Sequence, residues 1–180
     1  MRPILTITAA VMAALAVAAP PASASTGNPG PESNASANGG WVPIALPPLN
    51  APAGLLCDFA VHYDVIVNEA RLKVLQTFAD GTPKRDIALG AVFLRVSNAE
   101  TGASTVVDTS DTVVTEHGTD GSRDLQAVGP VVVLVRAGTS NLPRGFYAID
   151  GVTRIDISPT GFKNVALVHA SIHNVCDDLA

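Results

Sequence analysis

Three histidines and one aspartate are the side chains of this sequence best suited to hold a metal ion. His62 and Asp64 lie in one segment, and His169 and His173 lie close to the C-terminus. If the two segments are neighbouring antiparallel strands, with Asp64 opposite His169, all four side chains share one face. Neighbours on such a face are about 4.5–8 Å apart, and three imidazoles with a carboxylate suit zinc or copper. The four residues therefore form a candidate metal cluster, which depends on strand adjacency, direction and register.

The alternative for the same residues is a solvated sheet face that carries ordinary polar side chains. A register slip of one residue would move every side chain to the other face. Val165 and Leu167 also share the face of His169, which is a poor setting for a metal centre. The sequence favours the solvated face, and it predicts no resident cofactor.

The chain has two cysteines, Cys57 and Cys176, and therefore one possible pairing. Alternation places Cys57 on the same side of its strand as Phe59, and Cys176 on the same side as Ile172, so both sulfurs point toward an apolar interior. In an exported protein an even number of cysteines indicates a disulfide. On the chain-entropy model, closing a loop of this length is worth roughly 4–5 kcal/mol.

Sequence motifs of common enzyme classes are absent: the chain contains no G-x-S-x-G, H-E-x-x-H, P-loop or G-x-G-x-x-G pattern. The stretch VVDTS around Asp108 is similar to that of aspartic proteases, in which a second carboxylate must share the proton. Asp and Ser at a strand end also favour an ordinary turn. Asp108, Asp111, Asp120 and Asp124 form a loose acidic group whose spacing does not fit an EF-hand loop. A non-enzyme is favoured.

The N-terminal residues have the layout of a secretory signal peptide. Arg2 precedes an apolar run, Pro20 and Pro21 end that run, and Ala22-Ser23-Ala24 is a small-x-small cleavage site. The run is short for a membrane anchor. Residues 1–24 are therefore predicted to be removed after Ala24, and the product is predicted to be secreted and extracellular.

The charge of the mature chain excludes two classes of partner. Loss of residues 1–24 removes one basic residue and no acidic residue, which leaves ten Lys and Arg against 16 Asp and Glu and a net charge of −6. No Lys/Arg patch is present, so neither nucleic acid nor an anionic membrane is an expected partner.

The mature chain divides into a lead-in and a domain. Residues 25–56 are rich in Gly and Pro and are predicted to be a flexible lead-in, in which prolines prevent regular strands or helices. Trp41, Ile44 and Leu46 are the side chains there that are able to dock on a domain surface.

Residues 57–180 are predicted to form an all-β domain, because apolar and polar residues alternate and Gly-containing turns recur. The predicted strands are 57–67, 71–78, 87–98, 104–110, 112–117, 130–137, 145–158 and 164–175. About eight strands with short connections predict an antiparallel meander. A barrel is favoured over a sandwich, because the mid-chain strands are apolar on both faces and closure removes exposed edges.

The order of the turn motifs resembles that of small exported β-rich proteins of actinobacteria. The motifs span residues 56–180 and are Cys57-Asp58-Phe59, Asp80-Gly81, Asn98-Ala99-Glu100-Thr101-Gly102, Asp120-Gly121, Gly129-Pro130 and Val175-Cys176-Asp177. The resemblance implies a secreted β-domain with one disulfide. It implies no activity and no catalytic residues.

The first functional hypothesis is a non-enzymatic module that binds a small apolar ligand or a surface partner, since barrels of this size hold one such ligand. The alternatives are an isomerase or hydrolase with its site at the barrel mouth, and a structural or inhibitory secreted protein. A histidine or a carboxylate inside an interior pocket would favour the enzyme, and a pocket lined only by Val, Leu and Phe would favour binding.

Overall fold

The computed structural model describes residues 40–180, and the predicted signal peptide (1–24) and residues 25–39 of the lead-in lie outside the described residues. The described part contains twelve strands and one short helix. They are β1 (Val42–Pro43), β2 (Leu49–Ala51), β3 (Val61–Asn68), β4 (Arg71–Thr77), β5 (Pro83–Leu89), β6 (Val92–Asn98), β7 (Ser104–Asp108), β8 (Thr112–His117), β9 (Arg123–Val128), β10 (Val131–Val135), β11 (Gly145–Ile157), β12 (Lys163–Asn174) and α1 (Cys176–Leu179). Within residues 40–180, no helix is long and apolar enough to cross a membrane.

The strands form two antiparallel sheets. The larger sheet has the order β1-β4-β5-β8-β9-β11-β10, and β12 also pairs with β11; the smaller sheet has the order β2-β3-β6-β7. The all-β, antiparallel prediction is confirmed. The favoured barrel is wrong for the described residues, because their strands lie in two sheets with free ends and not in one closed sheet.

The predicted strand number is also too low, for local reasons. Segment 87–98, predicted as one strand, is two strands that meet at Gly90, whose φ of 140° turns the chain. The strand β9 was missed because RDLQAV has only weak alternation. The lead-in contributes β1 and β2, although its prolines predicted no strand; both are at most three residues long.

The long strand β11 connects the two halves of the larger sheet. Its first half pairs with β10 and its second half pairs with β9, while β12 follows its other edge from end to end. The strand bends at Gly151, where φ is 120° and a Cβ atom would lie 2.3 Å from the carbonyl oxygen of His169. Only glycine fits this close approach.

The first core cluster lies between the smaller sheet and the β10–β11 part of the larger sheet. Val61 on β3 and Val96 on β6 are buried on one side, and Phe146 on β11 is fully buried on the other. Phe146 and Tyr63 meet edge to face, with ring centroids 6.3 Å apart. This contact joins the two sheets in a sandwich-like arrangement.

A second core cluster lies on the other face of β10 and β11. It contains the buried residues Val133, Ile149 and Ile155 among others. Thr153 on β11 is 1% exposed, and its hydroxyl has no hydrogen-bond partner in the described structure. A buried hydroxyl without a partner destabilises the folded state.

Replacement of Thr153 by Val is therefore expected to raise the free energy of unfolding by about 1 kcal/mol, because the desolvated hydroxyl disappears while shape is kept. Urea denaturation at constant pH measures the effect. Thr112→Val, at an exposed position on β8, is the matched control and should change stability by less than about 0.5 kcal/mol. Destabilisation of the Thr153→Val protein would show that the hydroxyl does have a partner.

Candidate functional site

The four predicted metal ligands are not brought together. His62 and Asp64 lie on β3, and His62 Nε2 is 3.1 Å from Asp64 Oδ1. His169 lies on β12 opposite Val152, and His173 Nε2 is 2.8 Å from Asp178 Oδ2.

The reason is an error in the assumed strand pairing. β3 pairs with β2 and β6 in the smaller sheet, and β12 pairs with β11 in the larger one. The prediction that the first and last strands are neighbours is therefore wrong. Among residues 40–180, no group of three or more His, Cys, Asp or Glu is placed to hold a metal ion.

The predicted disulfide is confirmed. Cys57 and Cys176 are bonded, with Cα atoms 5.5 Å apart, and both residues are buried in the first core cluster. The bond attaches α1 to the segment before β3. Leu179 of this helix is buried as well, and its carbonyl oxygen accepts a hydrogen bond from Asn98 Nδ2 at 3.0 Å. The disulfide is therefore a structural element that holds α1 against the first core cluster.

The strongest candidate site is a cleft of about 280 Å³ beside the first core cluster. Its walls come from the lead-in, β3, β5, β6, β10 and the connection between β7 and β8, so both sheets contribute. Most lining residues are aliphatic, and Val92, Leu94, Val132 and Leu134 are examples. The volume is near the lower end of the roughly 300–1,000 Å³ range of ligand sites. We name this space the interface cleft.

One backbone and one side-chain hydrogen bond hold the lead-in over one side of the interface cleft. The Ile44 N–H donates to the carbonyl oxygen of Ala70 at 2.9 Å, and Asn68 Nδ2 donates to the carbonyl oxygen of Ile44 at 2.8 Å. Ile44 and Leu46 then supply apolar wall. Ile44 and Leu46 therefore dock on the domain as expected, whereas Trp41, the third side chain of that expectation, is exposed and does not line the cleft.

On the side covered by the lead-in, the floor of the interface cleft depends on Gly90. A Cβ atom on Gly90 would lie 2.3 Å from the carbonyl oxygen of Glu69. The β3–β4 and β5–β6 connections therefore approach each other more closely than any other residue permits.

The connection between β7 and β8 is tied to both sheets. The Val92 N–H donates to Ser110 Oγ at 2.9 Å, and the Thr109 N–H donates to the carbonyl oxygen of Val92 at 2.9 Å. The Val132 N–H donates to Thr109 Oγ1 at 3.2 Å. These bonds fix the following residue, Asp111, in the wall of the interface cleft.

Asp111 is the one carboxyl group that lines this cleft. No Lys, Arg or His of the described part of the chain forms an ion pair with it. Burial raises the pKa of Asp111 to about 6, and the negative charge of Asp108 adds to the rise. The side chain therefore changes between a hydrogen-bond donor and a pure acceptor near this pH.

Replacement of Asp111 by Asn is expected to stabilise the protein by about 1–2 kcal/mol above pH 7, after allowance for partial solvent screening. The pKa is raised from 3.8 to about 6 on folding. Below about pH 3.8 the neutral Asp111 side chain causes no loss in the free energy of unfolding. As the pH rises to about 6, its ionisation lowers the stability of the folded state. The gain from Asn should accordingly shrink toward zero at about pH 4.

Denaturation of both proteins across this pH range measures the difference. Asp150→Asn, at an exposed position on β11, is the control. A stability difference between wild type and Asp111→Asn that does not change with pH would contradict the raised pKa.

Two features of the structure, one in the interface cleft and one away from it, were missed at the level of sequence. Asp111 belonged to a loose acidic group with no assigned role, and its burial depends on contacts between sheets that alternation does not reveal. Asp86 and His117 form a second pair: Asp86 is 6% exposed, and its Oδ2 lies 2.7 Å from His117 Nε2. Their pairing needs the β5–β8 register.

Asp108 has the turn role that its sequence favoured, since its Oδ1 accepts a hydrogen bond from the Ser110 N–H at 2.9 Å.

No protein-family model matches the chain, and comparison with curated proteins and with solved structures finds no match. The geometry of the interface cleft is therefore the basis for the function proposed below.

Proposed function

We propose that this chain is an exported protein that binds one small, mainly apolar molecule in the interface cleft. The observation that carries the proposal is an aliphatic cleft of about 280 Å³ with one unpaired carboxyl group, Asp111, in its wall. Ligand sites commonly combine an apolar lining with a few polar groups that set orientation. The ligand class is therefore an apolar molecule with a single hydrogen-bonding group, such as a hydroxyl or a carbonyl.

Export is supported by the signal-peptide layout of residues 1–24 and by the buried disulfide. Disulfides form and persist mainly in oxidising compartments. The resemblance to exported actinobacterial β-proteins remains a prediction that agrees with both features.

A more polar recess adjoins the interface cleft and extends the ligand description. The recess shares four wall residues with the cleft, including Ile44 and Gly90, and adds the charged residues Glu69 and Arg71. A ligand longer than the cleft would therefore place its apolar body between the sheets and its polar end in this recess.

Titration with a neutral apolar fluorophore, N-phenyl-1-naphthylamine, tests the site. Ala88 is half-buried in the cleft wall, so Ala88→Leu fills part of the volume. We expect one probe to bind per chain, and we expect Ala88→Leu to weaken binding by at least about tenfold, or about 1.4 kcal/mol. Ala103→Leu, at an exposed position before β7, is the matched control. Equal binding by all three proteins would contradict the site.

A second candidate function is catalysis, and Asp111 is the observation that favours it. A carboxyl group whose pKa is near 6 in an apolar cleft has the properties of a general acid or base. The reaction class would be proton transfer on an apolar carbonyl substrate, with Asp111 as the proton carrier.

The two candidates differ in what happens to the bound molecule. Ligand extracted from the purified protein would be incubated in heavy water with wild type and with Asp111→Asn, and followed by NMR. Catalysis predicts deuterium incorporation that falls by at least about 100-fold in the variant. A ligand that binds and is recovered without deuterium would exclude catalysis and leave binding as the only function of the cleft.

A further inference from the structure

We infer that residues 42–46 of the lead-in are a gate, which leaves the interface cleft to admit or release a ligand and then closes over it again. We name these residues the gate segment. Their opening sets the rate at which a ligand exchanges, whereas the walls of the closed cleft set its affinity. The inference rests on the binding function proposed above, and it adds the route by which a molecule reaches the site.

The lead-in is firmly attached at one end only. At its second end, β2 pairs with β3 over three residue pairs, and Ala51 is 3% exposed in the first core cluster. At its first end, β1 pairs with β4 over two residue pairs and lies at the edge of the larger sheet. No residue of the gate segment is buried. The β1 end can therefore detach without breaking any other strand pair, while β2 stays in place.

Few hydrogen bonds hold the gate segment closed. Apart from the β1–β4 pairing, the described structure gives it two: the Ile44 N–H donates to the carbonyl oxygen of Ala70, and Asn68 Nδ2 donates to the carbonyl oxygen of Ile44. The link to β2 is Pro47-Pro48, which has no N–H to donate and a fixed φ, so the segment moves as one piece. A local opening that breaks so few bonds costs much less free energy than global unfolding.

The other walls of the interface cleft are fixed more strongly. Movement of β3, β5, β6 or β10 would break a ladder of at least five residue pairs. Three hydrogen bonds tie the connection between β7 and β8 to both sheets. Ile44 and Leu46 line the cleft without such support. The gate segment is therefore the wall that opens at the lowest cost.

The same two side chains bring the gate segment back to the closed position. Ile44 is half-buried and Leu46 is 36% exposed, so closing removes apolar surface from water on both the segment and the cleft. A bound apolar molecule adds further surface against Ile44 and Leu46, and it therefore favours the closed segment. Ligand binding should accordingly slow the opening.

Amide hydrogen exchange followed by NMR measures the opening directly, with no ligand present. Val175 is 1% exposed, and its N–H donates to the carbonyl oxygen of Phe146. We expect the protection factor of the Ile44 N–H to be at least about 100-fold lower than that of the Val175 N–H. The Glu69 N–H is the matched control, because it lies outside the gate segment and donates to the carbonyl oxygen of Ala91 at 2.8 Å. Its protection factor should exceed that of Ile44 by at least about tenfold.

A disulfide between β1 and β4 tests the function of the gate. Because the Ile44 N–H donates to Ala70, the next residues, Pro43 and Arg71, form a non-hydrogen-bonded pair. The Cα atoms of such a pair are about 4.5 Å apart, within the range that a disulfide spans. The double variant Pro43→Cys/Arg71→Cys should therefore lock the gate segment under mild oxidation. Peptide mapping verifies that the new bond forms and that the native disulfide is kept.

Stopped-flow mixing with N-phenyl-1-naphthylamine gives both rate constants. In the oxidised variant we expect association and dissociation each to slow by at least about tenfold, and Kd to change by less than about threefold, because a locked gate changes access and not the walls. The same variant with its two new thiols alkylated is the matched control. It carries both substitutions without the bond and should exchange the probe at least as fast as wild type.

Slow exchange at a nearly constant Kd in the oxidised variant would support the gate. A probe that binds with unchanged rates in the oxidised variant would overturn the gate and leave the binding function standing, as would equal protection of the Ile44 and Val175 amides. Absence of probe binding to every protein would overturn the binding function and the gate with it.

Discussion

Loss of the Cys57–Cys176 disulfide is expected to lower the free energy of unfolding by about 4–5 kcal/mol, the chain-entropy value for a loop of this length. The bond joins residues 119 positions apart, and its removal releases a long loop in the unfolded chain. Both sulfurs are buried, and α1 also anchors Leu179 in the first core cluster. The double variant Cys57→Ser/Cys176→Ser therefore loses the cross-link and places two hydroxyl groups in an apolar environment.

Urea denaturation of wild type, reduced wild type and the double variant separates the contributions. The double Ala variant is the matched control, because it removes the bond without adding hydroxyl groups. We expect the double Ala variant to show most of the loss in unfolding free energy that the double Ser variant shows. An unchanged unfolding free energy in fully reduced protein, with both thiols verified as free, would contradict a stabilising role for the bond.

Replacement of Phe146 by Ala is expected to cost about 3–5 kcal/mol. Phe146 is fully buried where β11 meets the smaller sheet, and its ring contacts Tyr63 edge to face. The truncation leaves a cavity between the sheets, which relaxes only in part. Because Tyr63 also lines the interface cleft, probe binding should weaken in the same variant.

Phe162→Ala is the matched control for this prediction. Phe162 is 41% exposed before β12, so the same truncation should cost less than about 1 kcal/mol. Equal losses at the two positions would mean that the contact between the sheets is not a main source of stability. Denaturation by urea with fluorescence of Trp41 as the probe measures both.

The sequence was sufficient for the features that depend on local patterns. Turn chemistry predicted the turns at Gly81, Gly102 and Gly121, each of which has a φ between 77° and 88°. Alternation placed Cys57 and Cys176 on the apolar side, and composition left a single possible pairing. These properties need only the period of a strand and the conformational freedom of glycine.

The features that failed depend on which strands are neighbours. The order β5-β8-β9-β11 skips β6 and β7, which belong to the other sheet. A meander read from one strand to the next therefore cannot yield this arrangement. The proposed metal cluster failed for that reason, because His62 and His169 are in different sheets.

The interface cleft was beyond prediction for the same reason. Its wall combines Ile44 from the lead-in with Val132 from β10 and Asp111 from the β7–β8 connection. These residues are distant in the chain and have no common motif. Only the packing of the two sheets places the carboxyl group of Asp111 beside aliphatic side chains.

Detergent-free native mass spectrometry of the exported protein tests the central claim most directly. We predict one co-purifying apolar molecule per chain in wild type and its loss in Ala88→Leu, with both proteins equally folded. A wild-type protein of the mass of the mature chain alone, which also fails to take up apolar molecules from an extract of its own culture medium, would contradict a binding function for the interface cleft.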